Sequence, residues 1–218
     1  MERSAFLGRV KAARRGAVLP DVVGPDRAPA VVFDDPVGRF VVEAEGVASE
    51  VTRVPDVTAA FAAIAAVIGR ADTSGFLAWD DLDEVVPGWT RWVGDTGLTQ
   101  IDATISTDPD QRIADHARVG GAVVGVTSAD WGIAATGSVV LTHGPGRPRS
   151  ASLLVEHHVV LLPAHRVVHS LTEALAQAGW EHTSNIAVIT GPSRTGDIES
   201  ILTLGVHGPR HLHVVLIG

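Results

Sequence analysis

The sequence predicts an α/β fold with a mainly parallel sheet and helices on both faces. From residue 121 onward, short apolar runs recur at 121–127, 159–163 and 186–190. Such runs are typical of strands that are buried on both faces of a sheet. Segments with helical periodicity separate several of these runs, as parallel strands require, because parallel neighbours are joined by crossover connections.

The amino-terminal part of the chain is predicted to form two helices and one strand. Residues 3–15 place apolar side chains at helical spacing, and the Pro- and Gly-rich stretch 16–36 is expected to wrap around the body as a loop. Residues 38–54 alternate and are rich in β-branched side chains, which favours a bent strand. An alanine-rich helix capped by an aspartate is expected over 56–68.

The other predicted elements follow the same criteria of periodicity and turn residues. They are strands at 75–79, 129–142 (two strands broken at Thr136-Gly137) and 212–217, and helices at 110–118, 169–178 and 197–204.

The length of 218 residues suits one sizeable core. We therefore expect a single domain over 1–218, in which 1–36 form the amino-terminal helix and wrapping loop and 37–218 form the α/β body. The net charge of −8 disfavours binding to nucleic acid or to an anionic membrane surface.

The chain contains no cysteine, which excludes a disulfide framework, a thiol nucleophile and an iron–sulfur cluster held by this chain alone. The basic start lacks the continuous apolar segment of a signal peptide. No stretch approaches the roughly 20 apolar residues of a membrane-spanning helix. We therefore expect a cytoplasmic protein without a membrane span.

Lysine is almost absent, since Lys11 is the only one. Lys11 lies in an amphipathic amino-terminal segment, which suits neither a Walker loop nor a buried Schiff-base lysine. No G-x-G-x-x-G pattern follows a predicted strand, so no dinucleotide site is inferred.

The segment 191–196, Gly-Pro-Ser-Arg-Thr-Gly, lies between a predicted buried strand and a predicted helix. Its glycines permit close approach, Ser193 and Thr195 offer hydroxyls, and the amides of a helix start attract anions. Arg194 could bind a carboxylate or phosphate through two hydrogen bonds. We predict a small-anion-binding loop. The alternative is a simple capped helix, in which Asp197 satisfies the helix end.

The histidines are interpreted as surface or core residues, and no metal site is expected. His165 and His169 are four residues apart but lack the glutamate of the zinc-binding H-E-x-x-H pattern. The adjacent pair 157–158 would point to opposite faces of a strand. His211 and His213 would share one strand face, but the sequence offers no clear third ligand.

Three tryptophans, Trp79, Trp89 and Trp92, occur in an acidic stretch that is interrupted by Pro and Gly. We interpret them as core anchors of a long connection. An aromatic platform for a ligand or a partner protein is the alternative.

Residues 127–141 read T-S-A-D-W-G-I-A-A-T-G-S-V-V-L, and residues 205–210 read G-V-H-G-P-R. Together with residues 191–199, these segments resemble, in order and spacing, motifs of the LUD-domain family of the lactate utilization protein C type. The first segment is similar to that family's D-x-x-I-A-E-T-G-T/S. Residues 191–199, G-P-S-R-T-G-D-I-E, resemble G-P-S-K/R-T-A-D-I-E, and residues 205–210 resemble G-V-H-G-P. The resemblance is strong from about residue 121 to residue 218.

The resemblance implies a fold similar to the NagB/RpiA/CoA-transferase group, whose members bind sugar phosphates, CoA esters or folates. It also implies a role in oxidising L-lactate to pyruvate beside iron–sulfur partner proteins, which would hold any clusters, so that no cofactor is expected in this chain. We expect the first two motifs to supply ligand-binding residues: Thr136, Gly137, Ser138, Gly191, Ser193, Arg194, Thr195, Asp197 and Glu199.

One position departs from the family pattern, because Ala135 stands where the family has an acid before Thr-Gly. Glu156 or Glu199 could replace that acid, but nothing in the sequence selects either of them. The catalytic residues are therefore left unassigned.

Three functional hypotheses follow. The first is an accessory or ligand-binding subunit of an L-lactate-oxidising system. The alternative is a stand-alone transferase or isomerase acting on a phosphorylated or CoA-linked small molecule. The third is a purely structural partner of other proteins.

Overall fold

A six-stranded sheet organises the body of the chain. The computed structural model describes residues 3–14, 31–177, 183–196, 202–205 and 207–218. The chain divides into two compact units, 1–30 and 31–218. In chain order the elements are α1 (Arg3–Arg14), α2 (Pro36–Gly46), β1 (Glu50–Val54), α3 (Val57–Arg70), β2 (Gly75–Ala78), α4 (Leu82–Val85), α5 (Trp89–Thr96), β3 (Thr99–Ile101), α6 (Pro109–Gly120), β4 (Val124–Ser128), β5 (Trp131–Ile133), β6 (Ser138–His143), α7 (Ser150–Leu153), β7 (His157–Pro163), β8 (Val167–Val168), α8 (Leu171–Ala176), β9 (Asn185–Ile189), β10 (Arg194–Gly196), β11 (Leu202–Leu204) and β12 (His211–Ile217).

The six strands lie in the order β1-β12-β7-β4-β2-β3, and each pair of neighbours is parallel. The central strand β7 is buried from His158 to Pro163. Such continuous apolar burial is expected for a parallel strand that is covered on both faces. The predicted fold class is confirmed.

Helix α2 corrects the prediction of a strand over 38–54. Asp35 caps this helix by accepting a hydrogen bond from the backbone of Gly38 at 2.8 Å, and Pro36 occupies the first turn. Phe40 and Ala44, four residues apart, are its buried side chains, which is the period of a helix. Only the last part of the predicted strand exists, as β1.

Helix α3 agrees with the prediction. Asp56 accepts a hydrogen bond from the backbone N–H of Ala59 at 2.9 Å and caps the helix. Ala60, Ile64 and Ile68 form its buried face, and the helix packs against β1, β12 and β7.

Helix α7 packs directly against β4 because Gly125 has no side chain. A Cβ atom at Gly125 would lie only 1.9 Å from the carbonyl oxygen of Ala151. Gly125 is in register with His158 of β7, so α7 covers the face of the sheet on which the His158 side chain lies.

A second sheet has the order β8-β5-β6-β9. The two strands predicted within 129–142 are β5 and β6, and they pair antiparallel around the expected break. Strand β9 was predicted as buried, which is wrong. It is an edge strand in which Ile186 and Val188 are 37% and 44% exposed, because an apolar run does not by itself fix a strand's place in a sheet.

A short hairpin corrects the predicted helix over 197–204. Residues 202–204 form β11, which pairs antiparallel with β10. Residues 197–201 lie outside the described residues. The Leu-Thr-Leu alternation of β11 suits a strand, but only its pairing with β10 distinguishes a strand from the last turn of a helix.

The three tryptophans that were interpreted as core anchors belong to the core or pack against it, as predicted. Trp79 and Trp89 are buried, and Trp92 stacks on Phe61 with ring centroids 5.0 Å apart. The indole N–H of Trp79 donates a hydrogen bond to the carbonyl oxygen of Pro148 at 3.0 Å. Within the described residues, no helix combines the length and the apolar character needed to cross a membrane.

Candidate functional site

Three hydroxyl groups join the first motif to the strand that precedes the second. The Ser138 Oγ atom lies 2.7 Å from Thr136 Oγ1 and 2.7 Å from Thr190 Oγ1. Ser138 is buried, while Thr136 and Thr190 are exposed. The first motif therefore lies beside the segment that leads into the second, at the start of β6 and the end of β9.

Two of the predicted ligand-binding glycines pack against the end of α2. Gly137 and Gly191 have φ angles of +63° and +74°, a region that favours glycine. A Cβ atom at Gly137 would lie 2.1 Å from the backbone nitrogen of Ala44, and one at Gly191 would lie 2.3 Å from the carbonyl oxygen of Val47. Close packing of the backbone therefore explains both glycines.

Arg194 is directed at the same helix end. Its guanidinium donates a hydrogen bond to the carbonyl oxygen of Val47, where the partial negative charge of the helix dipole favours a cation. Thr195 lies in β10, and Asp197 and Glu199 lie outside the described residues. The prediction also placed the free backbone amides of a helix start at this anion site. Among the described residues around the loop, no helix begins.

A cleft of about 250 Å³ lies beside the loop. Its walls are the segment 188–193, the turn 207–209, and four residues from the body of the fold: Ser152, Leu153, His158 and Leu212. The two carboxyl-terminal motifs are hydrogen-bonded to each other. The Ser193 backbone N–H donates to the Pro209 carbonyl oxygen at 2.8 Å, and the Gly205 N–H donates to the Ser193 carbonyl oxygen at 2.9 Å.

His158 connects the remaining motif to this cleft. Its Nε2 atom lies 2.8 Å from Thr127 Oγ1, at the start of the first motif. Its Nδ1 atom is buried and has no hydrogen-bond partner among the described residues. Burial lowers the pKa of His158 to about 3, so the ring is neutral near pH 7. An unpaired buried polar atom costs about 1–3 kcal/mol.

Ser152 is already engaged in hydrogen bonds. Its hydroxyl donates to the carbonyl oxygen of Arg149 at 3.1 Å and lies 3.2 Å from His143 Nε2. Since the hydroxyl proton is used, His143 Nε2 must carry the proton of that second bond. Ser152 is therefore held in place at the wall of the cleft.

The family model of the LUD domain matches residues 37–217. The chain belongs to the LUD domain family. The resemblance of the three motifs is therefore confirmed at the level of the family.

Several proteins are similar to this LUD domain over part of their length. Lactate utilization protein C of Halalkalibacterium halodurans is 38% identical over 92 residues, which cover 39% of this chain and 40% of that protein. Uncharacterized protein YkgG of Escherichia coli is 41% identical over 108 residues, 47% of each chain. Lactate utilization protein C of a Geobacillus species is 35% identical over 161 residues, 69% of this chain and 65% of that protein. The chain thus spans between 40% and 65% of these relatives.

A solved structure shares the fold. The crystal structure of a DUF162 family protein from Deinococcus radiodurans aligns with a TM-score of 0.58 and 19% identity, covering 87% of this chain and 100% of that chain.

A second, larger cavity of about 490 Å³ adjoins the cleft of the LUD domain. The two cavities share Leu153, His207 and Gly208 in their walls. Arg210 and Glu156 also line the larger cavity, and they form an ion pair at 3.5 Å.

A crevice of about 250 Å³ lies at the carboxyl ends of β2 and β3, where ligands commonly bind to open α/β sheets. Its walls include the carboxylate side chains of Asp80 and Asp102, and the described residues that line it include no Arg or Lys. The cleft at 190–193 is also lined by no Arg or Lys among the described residues, but it has no carboxylate either, so the two aspartates make this crevice the less suitable one for an anion.

The neighbourhood of Ala135 contains an acid that sequence reasoning missed. The Ala135 N–H donates to the carbonyl oxygen of His169 at 3.1 Å, and the N–H of His169 donates to Glu173 Oε2 at 2.8 Å. Glu156 instead lies just before β7, and Glu199 lies outside the described residues. The Ser-x-x-Glu spacing at 170–173, typical of a helix start, is the signal that could have pointed to Glu173.

Proposed function

We propose that this LUD domain is a ligand-binding subunit of a system that oxidises L-lactate, and that a small carboxylate anion binds in the cleft at 190–193 and 207–209. The observation that carries the proposal is one cleft that is lined by the second and third motifs and contacted by the first motif through His158 and Thr190, with a buried imidazole nitrogen of His158 left unpaired. The lactate context rests on the relatives named lactate utilization protein C.

The chemistry of the cleft suits a small anion. Its volume of about 250 Å³ lies below the range of roughly 300–1,000 Å³ that is common for drug-sized ligands. No Asp or Glu occurs among the described residues that line it. If Thr127 Oγ1 donates to His158 Nε2, the proton of the neutral ring lies on Nδ1, which has no hydrogen-bond partner among the described residues.

Electron transfer in such a system would belong to partner proteins. The chain has no cysteine with which to bind an iron–sulfur cluster. The role proposed for this subunit is therefore to bind and orient the small acid.

Calorimetric titration with L-lactate, pyruvate and inorganic phosphate tests the proposal. We expect saturable binding of at least one of the carboxylates. His158→Phe should abolish it, because the ring shape is kept and both nitrogens are removed. Thr127→Val is the matched control, since it removes the hydroxyl partner and leaves the imidazole in place, so it should weaken binding less. Absence of binding by all three anions, or equal binding by His158→Phe, would contradict the proposal.

A genetic experiment tests the lactate context separately. Replacement of the chromosomal gene by the His158→Phe allele should impair growth on L-lactate and leave growth on glucose unchanged. The Thr127→Val allele should support better growth on L-lactate than His158→Phe. Normal L-lactate growth of a strain that lacks the gene would rule out this role.

The adjoining cavity supports a second candidate, a transferase or isomerase for a phosphorylated or CoA-linked small molecule. The shared wall would allow a small acyl group in the cleft and a larger anionic part beside Arg210. Binding of acyl-CoA that is weakened by Arg210→Gln, together with no binding of free lactate or pyruvate, would favour this candidate.

A further inference from the structure

Three imidazoles meet at the amino-terminal edge of the six-stranded sheet. Strands β7 and β12 are parallel neighbours in which His157 is in register with His211. The His157 ring stacks on that of His211 with centroids 4.5 Å apart, and its centroid lies 5.4 Å from that of His213. Strand pairing thus places His157 beside His211 and His213, which the sequence spacing of those two residues could not reveal.

A chain of hydrogen bonds fixes the tautomers of two of these rings. Glu50 Oε2 lies 3.2 Å from His213 Nδ1, and His213 Nε2 lies 3.1 Å from His157 Nδ1. A carboxylate only accepts hydrogen bonds, so His213 donates through Nδ1. In a neutral imidazole one nitrogen donates and the other accepts, and a histidine must be neutral to bind a metal ion.

The consequence is a free lone pair on His157. Neutral His213 presents an unprotonated Nε2, so the proton of the bond between the rings must lie on His157 Nδ1. His157 Nε2 is then unprotonated. A histidine with one nitrogen held by a hydrogen bond and the other bare is the usual state of a metal-binding histidine.

A carboxylate completes the ligand set. Glu156, His157 and His211 each have one ligand atom within 4.8 Å of the others. We propose that these three residues bind a divalent transition-metal ion of the zinc type, with Glu50 and His213 as positioning residues behind His157. Two imidazoles and one carboxylate leave a fourth coordination position for water or a ligand, as in catalytic zinc sites.

The surroundings of Glu156 are compatible with this role. Its ion pair with Arg210 joins two side chains that are each about half exposed, at 48% and 57%, and such pairs are weak enough to be displaced by an ion. Glu156 also lines the 490 Å³ cavity. The metal proposal does not depend on the proposed lactate role, and its test uses the metal alone.

Zinc titration of the full chain after treatment with EDTA tests the site, with Co²⁺ absorption as a second readout. One Zn²⁺ should bind per chain, and Co²⁺ should give the visible bands of a site with fewer than six ligands. His211→Gln and Glu156→Gln should abolish both signals. His116→Gln, which changes an exposed histidine of α6, should alter neither of them.

Glu50→Gln tests the positioning residues, because its amide can donate to His213 and disturb the tautomers. We expect zinc affinity to fall by roughly 10- to 100-fold, the usual effect of losing an outer-shell partner. Unchanged affinity would remove Glu50 and His213 from the proposal. Failure of the unsubstituted chain to bind one Zn²⁺, or binding by His211→Gln and Glu156→Gln equal to it, would overturn the site. Circular dichroism of every variant excludes loss of fold as the cause.

Discussion

The backbone N–H of Ser193 donates a hydrogen bond to the carbonyl oxygen of Pro209 at 2.8 Å. This bond joins the loop after β9 to the turn before β12. The strands β9 and β12 belong to different sheets. Together they form most of the wall of the cleft that His158 also lines. The integrity of the cleft therefore depends on the backbone conformation of both segments.

Gly191→Ala should destabilise the fold by about 2–4 kcal/mol, because the φ angle is positive and the added Cβ would lie 2.3 Å from the Val47 carbonyl oxygen. Urea denaturation measures the change. Gly94→Ala in α5 is the matched control, since a Cβ there meets no atom within 4 Å. That control should leave stability unchanged or raise it by up to about 1 kcal/mol. Equal effects of the two substitutions would contradict the packing described for Gly191.

Arg147 holds two carboxylates at the carboxyl ends of the strands. It donates to Asp81 Oδ2 at 2.6 Å and to Asp130 Oδ1 at 2.8 Å, and the three side chains are only 15% to 23% exposed. Arg147→Met should lower the free energy of unfolding by about 3 kcal/mol, because two largely buried carboxylates lose their cation.

Arg91→Met is the control for that measurement. Arg91 pairs with Asp95 at 3.5 Å, but the two side chains are 88% and 71% exposed. Its loss should change stability by less than about 1 kcal/mol, as expected for a surface ion pair. A loss of similar size for both arginines in chemical denaturation would refute the special role of Arg147.

His143 should contribute to acid sensitivity. Burial lowers its pKa, so the folded state takes up a proton less readily than the unfolded state, whose pKa is near 6.5. Stability should therefore fall as the pH drops through about 6.5. His143→Gln should reduce the loss of stability between pH 7.5 and pH 5.5, measured by urea denaturation at each pH. His165→Gln, which changes an exposed histidine, should keep the loss of the unsubstituted chain.

The sequence was most informative where local chemistry alone determines structure. The Asp56 cap and the alanine-rich pattern after it predicted α3, and the break at Thr136-Gly137 predicted the turn between β5 and β6. The apolar run at 159–163 predicted β7, because a parallel strand in the middle of a sheet needs apolar side chains on both faces.

The errors arose where local signals competed or where pairing decided the outcome. At 38–54 the β-branched residues led to the prediction of a strand, although Asp35 and Pro36 form a helix-start signal. The helix-start signal was the correct one, since Phe40 and Ala44 share the buried face of α2. At 202–204 the partner strand β10 decided the structure.

The candidate sites are products of tertiary structure. The sequence motifs predicted the importance of segment 191–193, but the contribution of His158 depends on the packing of β7 beside α7. The histidine cluster likewise depends on the register of β7 and β12, which no spacing along the chain reveals.

The most direct test of the account is a crystal structure of the chain soaked with L-lactate or pyruvate. We predict ligand density in the cleft between segment 190–193 and turn 207–209, with a carboxylate oxygen within hydrogen-bond distance of His158 Nδ1. Density in the crevice beside Asp80 and Asp102, with the cleft free of ligand, would contradict the assignment of the site.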